Sequence, residues 1–212
     1  MINHYINLVC WHSIWNNYDP TRDHFWIDSI SLKALSMMYN RSTIYLPGTH
    51  VVSHINDLVI SKKEWFFFTA VQIENIPDDS QYELPLALTM EVSEDIKSTL
   101  LNIPPKTKVA IGISAPKQNF FATELYKIRP DLEYHCLGAA ISKLASKPSQ
   151  KLKLSKSGFE WLYFLVTSPK RTFQKLQYTF QALLKILFNK DYRIKFKHFI
   201  VICKSTEKRS SN

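Results

Sequence analysis

KVAIGISAPKQ, residues 108–118, reads as a strand, a break and the start of a helix. Val109, Ile111 and Ile113 are β-branched, and no polar residue interrupts Val109–Ile113, the pattern of a strand buried on both faces. Ser114-Ala115-Pro116 then breaks the run. Pro116 suits a first helical position, and Phe120, Phe121, Leu125 and Ile128 follow at helical spacing. Strand, tight turn and helix form the repeating unit of open α/β sheets, which bind ligands at the carboxyl ends of their strands. Lys117 and Gln118 fall in the first helical turn, where unpaired N–H groups and the helix dipole favour an anion. The residues alone leave two readings open: an anion-binding edge, or a plain connection with a solvated lysine.

Similar units flank this one. Short apolar runs at Phe25–Ile27, Glu64–Thr69, Leu86–Val92 and Glu133–Leu137 read as strands. Ser29–Tyr39 carries a helical stripe of Ile30, Leu32, Leu35 and Met38. Thr49 can cap a further helix running through Val51, Val52, Ile55, Leu58 and Val59. Ser93, with Glu94 and Asp95 behind it, caps another that ends at Pro104-Pro105. Ile2–Trp15 mixes apolar and polar residues, and Ala70–Pro85 reads as an irregular loop. Strands alternating with helices predict an α/β fold with a mostly parallel sheet. Asp28, at the end of its strand, is either the cap of the next helix or a carboxylate at the edge where α/β enzymes place their chemistry.

Charge divides the 212 residues unevenly. Residues 141–212 hold 16 Lys and Arg against 3 Asp and Glu, a net of +13, whereas residues 1–140 hold 11 against 15, a net of −4. The expected division is a body over 1–145, a basic helical appendage over 146–204, opened by a Lys- and Ser-rich linker at 146–157, and a polar, disordered tail at 205–212. A basic segment of this kind predicts an anionic partner. Phe173, Leu176, Phe180, Leu183, Leu184 and Leu187 recur at helical spacing beside Lys170, Arg171, Lys175 and Lys185. Such a helix either packs on the core or lies on anionic lipid. The helical spacing accounts for the aromatics without base stacking, so nucleic acid is not expected as a partner. No run reaches the ~18–20 apolar residues of a membrane span, and the start lacks the pattern of a signal peptide. The expectation is a cytoplasmic protein lying on the inner face of the plasma membrane. Cys10, Cys136 and Cys203 are far apart with no C-x-x-C, which suits a reducing setting. His50 and His54 stand four apart on a predicted helix, but no third ligand is evident and no metal site is expected.

Three stretches, in order, resemble the WecG/TagA/CpsF glycosyltransferases. GISAPKQN at Gly112–Asn119 is similar to their G-x-G-A-P-K-Q-E motif. WIDSISL at Trp26–Leu32 and LPGTHVV at Leu46–Val52 resemble a D-G-I-G segment followed by P-G-T. GFEWLYFLVTSPKR at Gly158–Arg171 is similar to G-L-E-W-L-Y-R-L-x-x-E-P-x-R. The resemblance covers nearly the whole chain and implies a Rossmann-like fold with a basic helical appendage. It implies transfer of an N-acetylhexosamine-type sugar from a UDP-sugar to a polyprenyl-diphosphate-linked acceptor in surface polysaccharide synthesis, with no cofactor. Asp28 would be the base. Asn3, Gly48, Thr49, Gly112, Ser114, Ala115, Pro116, Lys117, Gln118 and Gly138 would hold the donor. Lys170 and Arg171 would meet the lipid diphosphate. Asn3 corresponds to the Asn of a Thr-x-Asn at the start of the family's first helix.

The chain also departs from that pattern. Met1 stands for Thr, Ser29 for Gly, Asn119 for Glu, Ser142 for Asp and Phe164 for Arg. The R-A-P segment is replaced within KPSQKLKLSKS, and a Gly-Gly loop is replaced by Ala70–Pro85. These changes keep open a non-catalytic scaffold on the same fold, working within a polysaccharide-synthesis assembly. Homo-oligomerisation stays open in both cases.

Overall fold

The computed structural model describes residues 1–14, 18–19, 21–39, 43–58, 64–74, 76–85, 91–141, 144, 166 and 169–210. Six strands are described: β1 (Ile2–Ile6), β2 (Asp23–Ile27), β3 (Trp65–Thr69), β4 (Gln81–Glu83), β5 (Lys108–Gly112) and β6 (Glu133–Cys136). They form one sheet in the order β2–β1–β6–β5–β3–β4, and every pairing is parallel. The helices are α1 (Leu8–Ile14), α2 (Ile30–Met38), α3 (Gly48–Leu58), α4 (Glu94–Asn102), α5 (Lys117–Ile128), α6 (Pro169–Phe188) and α7 (Lys190–Ser210). The α/β class expected from the alternation is the class observed.

The period-two pleat sorts the core. On one face Ile2, Phe66, Phe68, Val109, Ile111, Tyr134 and Cys136 pack against Ile96 and Leu100 of α4 and Phe121, Ala122 and Leu125 of α5. Farther along that face, Ile6, Phe25 and Ile27 meet Trp11, Leu32 and Leu35, with Ile186 of α6 and Phe196, Phe199, Ile200 and Cys203 of α7. Tyr5, Phe67 and Ala110 point the other way, onto Val52 and Ile55 of α3 and onto Ile73, Ile76, Ile141 and Leu144. Each large side chain buried this way contributes roughly 1.5–3 kcal/mol.

Several boundaries differ from expectation. Ile2–Ile6 is a strand buried at all five positions, although INHYI shows neither an apolar run nor apolar/polar alternation. β4 lies inside the segment expected to be an irregular loop. Pro116 is the N-cap of α5 rather than its first residue, and its peptide bond with Ala115 is cis. Ser29, not Asp28, caps α2, its hydroxyl accepting from Leu32 N–H. Ser93 caps α4 as expected, accepting from Ile96 N–H. The C-terminal helix runs to Ser210, so the segment expected to be a disordered tail is helical through that residue. Most of the expected strand at Leu86–Val92, the linker at 146–157, and Gly158, Glu160 and Trp161 of the third motif lie outside the described residues.

The basic C-terminal helices are amphipathic in two senses. The inner face of α7 is core: Phe196, Phe199, Ile200 and Cys203 are at most 1% exposed, and Trp11 meets the Phe196 ring edge-on at 5.4 Å. α6 buries Thr172 and Ile186, yet Phe173, Leu176, Phe180, Leu184 and Phe188 are exposed. Those five recur three or four residues apart and so share a face. Among the described residues no helix is long and apolar enough to cross a membrane.

Candidate functional site

The chain leaves β5 for β6 on one side and β3 for β4 on the other. The carboxyl ends of the adjacent strands β3 and β5 are therefore a switch point, where open α/β sheets leave a ligand crevice. Gly112, opposite Thr69 in register, stands there. A Cβ at Gly112 would meet Ile141 Cδ1 at 3.0 Å and Thr69 Cγ2 at 3.1 Å, so the space above it is taken by those two side chains.

Ser114, Ala115 and Pro116 turn the chain into α5. Gln118 N–H reaches Ser114 O at 3.4 Å and Asn119 N–H reaches Pro116 O at 3.0 Å. Pro116 offers no side-chain cap, and Lys117 is exposed beside the N-terminal end of the helix. Gln118 turns inward and is 4% exposed. Its carboxamide lies against Gly138, where a Cβ would sit 3.2 Å from Oε1; φ at Gly138 is +56°, a conformation that suits glycine. Gln118 Oε1 is buried and, among the described residues, finds no hydrogen-bond donor. An unpaired buried acceptor costs about 1–3 kcal/mol, so a donor brought by a ligand would be well placed there.

Asp28 closes the other end of this edge. Its Oδ1 accepts the Gly48 N–H at 2.8 Å, which sets a carboxylate on the N-terminus of α3. Leu46 N–H to Ile27 O at 3.0 Å ties the same connection to β2. Gly48 packs beside Leu137 and Ala140, the turn that contains Gly138, with a built Cβ 3.6–3.7 Å from them. Thr49 is half-buried in the first turn of α3. Asp28, Gly48, Gly138, Gln118 and the Gly112–Lys117 turn thus lie along one edge. Asp28 and Lys117 stand at its two ends: β2 and β5 are three strands apart, about 14 Å at the usual spacing. Lys170 and Arg171 lie in the first turn of α6.

Asn3 is placed differently from expectation. It lies within β1, 3% exposed, and its carboxamide is used inside the sheet: Nδ2 donates to Glu133 Oε1 at 2.9 Å and Oδ1 accepts from Trp26 Nε1 at 3.0 Å. It belongs to a row the sequence reading missed. His135 Nε2 is 3.0 Å from Glu133 Oε1, Tyr5 Oη is 3.1 Å from His135 Nδ1, and Trp65 tilts over the His135 ring at 4.9 Å. The His135 ring holds the Glu133 carboxyl below its ordinary value against burial, helped by Asn3 and Lys108; burial raises Tyr5. On the other face His4 Nε2 meets Asp23 Oδ1 at 3.3 Å, and His4 Nδ1 meets Asn119 Nδ2 at 2.9 Å. Burial pushes Asp23 upward, but His4, the Asp19 N–H and Arg22 outweigh it, and the net shift is downward. Asn119, which stands where the resembled motif has Glu, is thus a partner for a buried histidine. The available signal was polar residues spaced two apart within strands, Asn3/Tyr5 and Glu133/His135.

None of the three cysteines is in a disulfide, and all three are buried. Among the described residues no cluster of His, Cys, Asp or Glu could hold a metal. The class is plain at this point: an α/β protein with a Rossmann-like sheet, parallel throughout its described strands, with Asp28, Gly48, Gly112–Gln118 and Gly138 along its carboxyl edge. Comparison with protein-family models, curated proteins and solved structures finds no match.

Proposed function

We propose that the carboxyl edge binds a UDP-sugar and that the protein transfers the sugar to a polyprenyl-diphosphate-linked acceptor at a membrane surface. The acceptor hydroxyl attacks the anomeric carbon, the bond to UDP breaks, and Asp28 takes the hydroxyl proton. Lys117 and the N-terminal N–H groups of α5 meet the diphosphate. Gln118 Oε1 accepts a hydrogen bond from a ligand hydroxyl or amide. The outward stripe of α6 rests on anionic lipid, with Lys170 and Arg171 near the acceptor's diphosphate.

The observation that carries this reading is Gln118: a buried acceptor with no donor among the described residues, at a helix N-terminus, on the edge where this fold binds ligands. The resemblance of Gly112–Asn119 and Trp26–Val52 to glycosyltransferase motifs supports it. The test is thermal unfolding with UDP and UDP-N-acetylhexosamines, since a ligand of the folded state raises the melting temperature. UDP is expected to raise it. Lys117→Ala is expected to weaken UDP binding by about 1.5–3 kcal/mol, the worth of a charge-assisted contact. Unchanged affinity in that variant removes Lys117 from the site.

A second reading is a scaffold on the same fold. Ile141 and Thr69 filling the space over Gly112, together with Asp28 engaged by Gly48, favour it. No thermal response to any UDP-sugar would select it.

A further inference from the structure

A separate cavity of about 260 Å³ opens between the end of α2 and α7, lined by Tyr39, Lys197, His198, Ile200 and Val201. It is smaller than the ~300–1,000 Å³ that encloses a drug-sized ligand, so it suits a headgroup rather than a nucleotide sugar. Its wall is fixed. The Tyr39 ring packs on Phe196 at 5.6 Å, and the Lys197 ammonium stands 5.5 Å from the centre of the Tyr39 ring. Ile200 is fully buried beneath it. Among the described residues its polar lining is an ammonium, an imidazole and a phenol. Lys197 and His198 share the outward face of α7 with Ile194 and Val201, spaced 194, 197, 198, 201, and both apolar residues are exposed. Donors within an apolar rim match an anion that carries a hydrocarbon chain.

We propose that this cavity receives the phosphate headgroup of one anionic phospholipid, with its glycerol and first methylenes against Ile194 and Val201. This rests on the membrane reading but uses different residues from the α6 stripe. Lys197 supplies the charge, and the Tyr39 hydroxyl donates to the phosphate oxygens.

The probe is dihexanoyl-phosphatidylglycerol below its micelle concentration, titrated into the full chain and followed by amide chemical shifts. Saturable shifts at Tyr39 and residues 197–201 are expected, weakening with salt. Lys197→Gln is expected to lower the affinity about tenfold, as loss of one charged contact does. Val201→Ser is expected to weaken the lipid and leave inorganic phosphate unaffected. Equal affinity for dihexanoyl-phosphatidylcholine, inorganic phosphate bound as tightly as the lipid, or no effect of Lys197→Gln each overturns the proposal. Vesicle binding by the whole protein fails independently: loss of vesicle binding with the short-chain lipid still bound would discard the α6 reading and keep this one.

Discussion

Replacing Asp28 two ways separates the chemistry proposed for it from the structural task the fold gives it. Asp28 Oδ1 accepts from Gly48 N–H at 2.8 Å, at the start of the eleven-residue helix α3. Asp28→Asn keeps an oxygen for that N–H and loses the charge. The charge at a helix N-terminus is worth about 0.3–1 kcal/mol, so Asn should cost under about 1 kcal/mol. Asp28→Ala loses the hydrogen bond as well, which brings the cost to about 2–3 kcal/mol. For a chain of this size each kcal/mol shifts the melting temperature by about 2–4 °C. Asn is therefore expected to lower it by about 1–4 °C and Ala by about 4–12 °C. Turnover should order the variants differently. Both lack the proton acceptor, so UDP release from a UDP-sugar with a polyprenyl-diphosphate acceptor should fall roughly 100-fold or more in each, while UDP binding persists. A loss under 1 kcal/mol from a folded state stable by several cannot itself produce a 100-fold fall, since the variant stays folded. Wild-type turnover in Asp28→Asn would refute the base assignment and leave Asp28 as the clasp on α3. Equal melting temperatures for Asn and Ala would refute the clasp.

Arg129 gives a purely structural test: its Nη1 donates to the Leu100, Leu101 and Ile103 carbonyls that end α4, and its fork grips Asp131. Arg129→Ala should cost about 2–3 kcal/mol, read from the urea midpoint, and Arg129→Lys should restore only part because it lacks the fork; an unchanged midpoint in Ala would mean water replaces the guanidinium fully. Glu133 and Asp23 are both held below their ordinary values, so the unfolded chain takes up their protons first as pH falls. Their contribution is complete above about pH 4–5 and disappears as pH drops through the folded-state values. Urea midpoints between pH 7 and 3 should fall at the acid end, and less steeply in Glu133→Gln; parallel curves would remove Glu133 from the account. Anionic vesicles should sediment with the protein at low salt, less at high salt, and less in Phe180→Ser/Leu184→Ser, whose targets are exposed. Point variants are needed because cutting the chain before Gly158 would strip Phe196, Phe199 and Ile200 from the core and unfold the body.

The strands were legible where apolar residues dominate a segment, and the first strand was illegible because polar side chains pair inside the sheet there. KVAIG, WFFFT and EYHC all carry strands and all three read as strands, the first two as continuous apolar runs apart from Lys108 and Thr69, the third despite Glu133 and His135. INHYI defeats a pattern reading because Asn3 and His4 are buried through partners remote in sequence: Glu133 for one and Asn119 for the other. A buried polar group needs its partner, and no local window contains both. The same physics separates the parts of the edge. The strand–turn–helix of Lys108–Ile128 shows in spacing and turn residues alone. That Gly138 faces Gln118, and that Asp28 holds Gly48, depends on a parallel sheet bringing β6 beside β5 and α3 beside β2. The amphipathic C-terminal helices mark the limit from the other side. Sequence presented core packing and surface docking as alternatives for one apolar stripe, but α6 and α7 divide the task. Ile186, Phe196 and Phe199 satisfy the core, while Phe173, Phe180 and Leu184 remain outside it. A monomer rarely leaves a contiguous apolar face exposed without a use for it. That remaining face, beside the net charge of +13 over residues 141–212, is what makes an anionic surface the partner to test first.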